Sequence, residues 1–206
     1  MRIGVDFDNT IAGYDRVFNE VAKEWGLLRE GFEGGKREVR DALRRQESGT
    51  YQWQRLQGLV YGKYMGRAVL LDGVASFFQH AQEDGAELFI VSHKTRYGHH
   101  DSGCTDLRLA ARQWMEAQGF FSEAGLGLNP GSLYFEGTRS AKVARIGALE
   151  CDCFIDDLAE VFFHPDFPSS VDGYLYAPSP GGAVPYGIRS CRSWSEIEHF
   201  VLGERA

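Results

Sequence analysis

Asp6 and Asp8 are the residues of this chain best suited to chemistry, and they sit two apart in the opening stretch Arg2-Ile3-Gly4-Val5-Asp6-Phe7-Asp8-Asn9-Thr10. Apolar Ile3, Val5 and Phe7 alternate with Gly4 and Asp6, the pattern of a short, mostly buried strand. A strand that ends on Asp-x-Asp brings two negative charges together at a sheet edge. Such a pair costs free energy unless something neutralises it. A divalent cation does so, and hard carboxylate oxygens suit magnesium. Taken alone, residues 6–10 read equally well as a turn, because Asp, Asn and Thr are common after strands. The rest of the chain decides between the two.

The elements that must position these carboxylates follow from periodicity. Tyr14, Val17, Phe18, Val21, Ala22 and Trp25 fall at i, i+3, i+4, i+7, i+8 and i+11, which predicts an amphipathic helix. Residues 29–70 carry glycines, a mixed-charge run and then aromatics, and read as two or three short helices. Val74, Phe77, Phe78 and Ala81 predict another helix, with Gly85 placed after its end as a C-terminal cap. Residues 86–91 form an apolar strand ending in Ser92, and a polar loop covers 95–105. A helix follows over Leu107, Ala110, Ala111 and Trp114. A strand at 133–135 leads to a helix from Ser140 that carries Lys142, Val143 and Ile146. A strand at 153–155 then runs into Asp156-Asp157, with a short helix after it that Pro165 halts. The tail holds a strand at 174–176, a Pro- and Gly-rich loop at 178–187 and a last helix from Trp194. Ser193 and Glu196 make a capping box for that helix. Strands alternating with helices imply an α/β fold, a parallel sheet flanked by helices on both faces.

In such a sheet, ligands sit beyond the carboxyl ends of the strands. Asp6 and Asp8, then Ser92, then Asp156 and Asp157 stand at three such ends, and Lys142 opens the helix before the third. Each group has a plain structural alternative. Ser92 could cap a turn, Lys142 could be a solvated helix lysine, and Asp156-Asp157 could be an N-cap pair. Their joint placement argues for a site.

With these residues in place, the chain resembles the haloacid dehalogenase superfamily, most of whose members are magnesium-dependent phosphatases. Residues 6–10 match its first motif, Ser92 the second, Lys142 the third and Asp156-Asp157 the fourth, so the resemblance spans residues 2 to about 162. Asn9 departs from the pattern, where Gly is more usual. The resemblance implies a Rossmann-like core over 1–13 and 72–206 and a small helical cap over 14–71. It implies Asp6 as nucleophile, Asp8 as general acid and base, and Ser92 and Lys142 as phosphoryl-binding groups. Magnesium would be held by Asp6, the backbone carbonyl of Asp8, and Asp156 or Asp157. The carbon–halogen cleaving branch lacks a carboxylate at the position of Asp8, so its presence here favours phosphoryl transfer.

Substrate contacts are expected from Thr10 and from His93 and Lys94, which follow Ser92 directly, with Arg96 on the same loop. The insertion's cations include Arg37, Arg40, Arg44, Arg45, Arg55, Lys63 and Arg67, and its aromatics include Tyr51, Trp53, Tyr61 and Tyr64. For any one of these, a solvated charge or a place in the insertion's own core is the stronger expectation. His99, His100 and Cys104 could be called a metal cluster, but no further ligand has the right spacing.

At 206 residues and 43% hydrophobic the chain can bury one core and a smaller appendage. A formal charge of −7 argues against a nucleic-acid polymer or an anionic membrane as partner. No apolar run is long enough to span a bilayer, and the N-terminus enters a strand at once. The four cysteines follow no zinc spacing, and a reducing cytoplasm is expected. The functional expectation is a phosphatase acting on a small phosphorylated metabolite, a sugar phosphate or a nucleoside monophosphate, through an aspartyl-phosphate. A phosphomutase and a non-catalytic binding or regulatory module are the alternatives. Sequence leaves the oligomeric state open.

Overall fold

A computed structural model describes residues 1–100, 103–179 and 183–203. Six parallel strands make the main sheet: β1 (Arg2–Val5), β4 (Glu87–His93), β5 (Leu133–Glu136), β6 (Cys153–Asp156), β7 (Asp172–Tyr176) and β8 (Arg189–Cys191). Their spatial order is β5-β4-β1-β6-β7-β8. From β1 the chain builds outward on one side through β4 and β5, then returns to β1's other side with β6. That reversal makes the carboxyl end of β1 a topological switch point, where sheets of this type bind ligands. Two short strands, β2 (Ala12–Gly13) and β3 (Val69–Leu70), pair separately.

Eight α-helices connect these strands among the described residues: α1 (Asp15–Glu24), α2 (Lys36–Arg44), α3 (Gly49–Tyr61), α4 (Val74–Glu83), α5 (Leu107–Ala117), α6 (Arg139–Ala148), α7 (Ala159–Phe162) and α8 (Trp194–Leu202). The expected helices and strands are present, with boundaries shifted by one or two residues. The edge strand β8 is an addition that its mostly polar residues do not announce. Among the described residues, no helix is long and apolar enough to cross a membrane. Pro180, Gly181 and Gly182 of the expected tail loop lie outside the described residues.

The described chain divides into two compact units. The first comprises residues 1–11, 70–94 and 119–206 and holds the main sheet. On one face Phe89, Val91 and Phe154 pack with Val143 and Ile146 of α6 and with Val161 and Phe162 of α7. On the other, Phe77 of α4 lies 5.1 Å from Trp194 of α8, and Phe78 lies 5.6 Å from Phe120. Both faces are therefore covered, which is why the strand interiors are nearly continuous apolar runs.

The second unit comprises residues 12–69 and 95–118, that is α1, α2, α3 and α5. Phe18 stacks on Trp53 at 5.1 Å, and Tyr61 lies edge-on to Tyr14 at 4.9 Å. Trp114 of α5 donates its indole N–H to the Ala68 carbonyl at 3.0 Å. Trp53 and Tyr61 thus belong to this unit's own core. Several cations are held within it too: Arg40 pairs with Asp41, Arg67 with Glu24, and Arg55 lies over Trp25. The division differs from the 14–71 boundary read in the sequence, because 95–118 sorts with the helical insertion and not with the sheet.

Candidate active site

The site is built at the carboxyl ends of β1, β4 and β6. Parallel pairing sets Val5 opposite both Ile90 and Ile155, and the Asp6 N–H extends the ladder to the Ile155 carbonyl at 2.8 Å. This register sets Asp6 level with Asp156 and leaves Ser92 one residue farther along β4. After Asp6 the chain turns sharply: the Ile11 N–H reaches back to the Phe7 carbonyl at 3.0 Å, and Asn9 has a φ of 61°. That left-handed conformation favours Gly and tolerates Asn, so the departure at position 9 keeps the turn.

Lys142 enters from the first turn of α6. That helix is capped by Thr138, whose hydroxyl accepts the Ala141 N–H at 3.1 Å. The Lys142 ammonium is 1% exposed and lies 2.5 Å from Asp6 Oδ1 and 2.6 Å from Asp156 Oδ2. Burial alone would lower the lysine's pKa, but Asp156 and Asp6 outweigh it and hold it above the ordinary lysine value. Asp6 is pushed up to about 7, first by burial and then by Asp156 and Asp8, against the opposing pull of Lys142.

Asp156, Asp157 and Asp6 offer carboxylate oxygens that all lie within 4.8 Å of one another. The Asp156 Oδ1 accepts the Leu158 N–H at 2.9 Å, and the Thr10 hydroxyl accepts the Asp157 N–H at 3.1 Å. Both contacts fix the backbone that carries the acidic pair. Three hard oxygen donors on three carboxylates suit magnesium or a similar cation. Ser92 Oγ is buried and has no hydrogen-bond partner among the described residues. A buried hydroxyl without a partner is costly, and a phosphoryl oxygen bound at this strand end would satisfy it.

Three sequence-derived placements change. Strand β4 runs on through Ser92 to His93, pairing with β5 as far as Glu136, and the Lys94 N–H continues the ladder to the Glu136 carbonyl at 2.9 Å. Strand alternation then turns Ser92 and Lys94 to one side and His93 to the other. His93 is exposed, with Nε2 3.2 Å from the Gly137 carbonyl oxygen. Lys94, expected among the substrate contacts, is buried with its ammonium on Asp8. Thr10, also expected to touch substrate, is fully buried and serves Asp157 and, through its carbonyl, the Trp194 indole N–H. The carboxylate of Asp8 stands apart from the three-acid cluster, facing Lys94. The capping role of Thr138 was signalled only by a Thr shortly before an apolar helix. The Lys94–Asp8 pair had no sequence signal, since its partners are 86 residues apart.

His99, His100 and Cys104 form no metal cluster among the described residues. His100 instead pairs with Gln54 at 3.1 Å. The cysteines are free thiols, and burial pushes Cys151 up to about 11 and Cys153 up to about 12. Neither is a thiolate near neutral pH.

No protein-family model matches the sequence, and no curated protein matches it either. Solved structures do match. One is Protein Tyrosine Kinase A (PtkA) of Mycobacterium tuberculosis, at 11% identity and a TM-score of 0.63, covering 98% of each chain. Another is the HAD-hydrolase YfnB of Bacillus subtilis bound to magnesium, at 12% identity and a TM-score of 0.56, covering 97% of each chain. A third is a HAD family hydrolase of Deinococcus radiodurans with bound phosphate and sodium. It is 13% identical with a TM-score of 0.54, covering 97% of this chain and 94% of that one. Dehalogenases also match. At such identities the likeness speaks for the fold, and this chain has the haloacid dehalogenase fold.

Proposed function

We propose that this protein is a hydrolase of the phosphatase type, releasing phosphate from a small phosphorylated metabolite through an aspartyl-phosphate on Asp6. The observation that carries the reading is the convergence of the Asp6–Asp156–Asp157 carboxylates, the buried Lys142 ammonium and the unsatisfied Ser92 hydroxyl at one set of strand ends. A divalent cation, magnesium on this reading, would be held by Asp6, Asp156 or Asp157 and the Asp8 backbone carbonyl, and would offset repulsion between an anionic nucleophile and an anionic phosphate.

The chain's own residues supply the rest. One Asp6 oxygen attacks phosphorus and the bond to the leaving oxygen breaks, with Asp8 giving that oxygen its proton. Asp8 then takes a proton from the water that attacks the aspartyl-phosphate, which frees phosphate, returns Asp6 to its carboxylate and returns Asp8 to its protonated form. Lys142 restrains Asp6 and Ser92 binds a phosphoryl oxygen, so developing charge meets fixed donors. Asp8 separates this chemistry from dehalogenation, because a departing halide needs no proton. The helical unit is assigned the reading of the leaving group, on the ground that most of it is inserted between Asp8 and Ser92 in the sequence. A small phosphate ester as substrate, no nucleic-acid polymer or membrane as partner, and a cytoplasmic setting complete the proposal.

The test is phosphate release from sugar phosphates, nucleotides and phosphorylated acids, with magnesium and with chelator. Magnesium-dependent release on one class is expected, and Asp6→Asn should reduce it by roughly a thousandfold or more with folding intact. Turnover that survives in Asp6→Asn removes the nucleophile assignment. An isomeric phosphate ester formed without free phosphate would identify a mutase instead.

A further inference from the structure

Lys94 is a buried cation that the mechanism above does not use. Its ammonium is 2% exposed and lies 3.0 Å from Oδ1 and 2.8 Å from Oδ2 of Asp8. Its backbone is fixed by the hydrogen bond to Glu136 beyond the end of β4. The same ammonium sits 5.6 Å from the centre of the Phe7 ring, so the residue before Asp8 also packs against it. Asp8, by contrast, stands on the turn after β1, and its side chain is 17% exposed. A carboxylate on a turn has two torsions to fix before it can hand over a proton in line with a reacting oxygen. A rigid ammonium contacting both its oxygens fixes them.

Resting on the phosphoryl-transfer reading, we propose that Lys94 is a positioning residue that holds the Asp8 carboxylate in place for proton transfer, as Lys142 holds Asp6. The site would then carry two lysines with divided tasks, one on the nucleophile and one on the acid and base.

The experiment compares kcat/KM for two aryl phosphates in the presence of magnesium. 2,4-Dinitrophenyl phosphate has a leaving group that departs without a proton, whereas phenyl phosphate needs one. Because kcat/KM reports only the steps up to departure of the alcohol, later hydrolysis of the aspartyl-phosphate does not blur the comparison. Lys94→Met should lower kcat/KM on phenyl phosphate by roughly tenfold or more, while the dinitrophenyl ester falls by no more than about threefold. Asp8→Asn should show the same selectivity. The double variant should be no worse than Asp8→Asn alone, since Lys94 acts through Asp8.

Equal losses on both esters in Lys94→Met would overturn the proposal in favour of a structural or phosphoryl-binding role. So would a double variant in which the two losses multiply. If Lys94→Met does not fold, Lys94→Arg keeps the charge while changing the contact, and the same selective or equal loss decides. A wild-type protein that turns over neither ester overturns the phosphoryl-transfer reading and this one with it, an outcome distinct from any in which wild type is active and Lys94→Met is unselective.

Discussion

At the scale of single residues, the site is a problem of sharing charge. Asp6 and Asp156 share the Lys142 ammonium, and Asp8 meets that of Lys94. Asp6 is the carboxylate left under-compensated, which fits its rise to about 7 from burial and from the neighbouring Asp156 and Asp8 charges. A divalent cation binding there must displace the proton Asp6 holds below that pH. Magnesium affinity should therefore rise about tenfold per pH unit below 7 and level off above it, with up to about one proton released per ion. Calorimetric titrations at pH 6 and pH 8, in buffers of different ionisation enthalpy, read both quantities. An affinity independent of pH, with no proton released, would remove Asp6 from the ligand set. The placement of Asp6, Asp8, Ser92, Asp156 and Asp157 at or just past strand ends, and of Lys142 in the helix before β6, was legible in the sequence. The partner of Lys94 was not, because pairing across 86 residues leaves no trace in local spacing.

At the scale of elements, chemistry depends on where strands stop and helices start. β4 outruns its apolar residues by two, because pairing with β5 continues to Glu136, and this redirects His93 and Lys94. The start of α6 matters equally, since Lys142 lies in its first turn. Thr138→Ala removes the cap on Ala141 and should cost about 1 kcal/mol. In a chain of this size that lowers Tm by about 2–4 °C. On the proposed phosphatase reading, phosphate release should fall as well, because the turn that aims Lys142 frays. An unchanged Tm would show that the cap contributes nothing. Helices with clear 3.6-residue periodicity, such as α1, α4 and α5, could be read directly. The three-residue edge strand β8 could not, as Arg189 and Ser190 are exposed and offer no apolar pattern.

At the scale of the whole molecule, the sequence boundary at 71 misses α5. Leu107, Ala111, Trp114 and Met115 are buried, and α5 packs on α3 and on the short helical turn Met65–Arg67. Replacing residues 14–68 with a short Gly-Ser linker should therefore strand an apolar helix face. The expected product binds a hydrophobic dye and aggregates, since uncovered patches of this kind promote association. A monomeric product that unfolds cooperatively in urea would show instead that α5 needs nothing from residues 14–68.

The sequence by itself determined the α/β class, the order of the elements and the chemical groups at the strand ends. Those follow from local periodicity and from residue type, both of which a single chain displays. Only the tertiary structure decided that Lys142 bridges Asp6 and Asp156, that Lys94 pairs with Asp8, that the Thr10 hydroxyl accepts the Asp157 N–H, and that α5 sorts with the helical insertion. Each is a contact between distant segments, selected by strand register and by which apolar surfaces cover one another, and neither is written in local spacing.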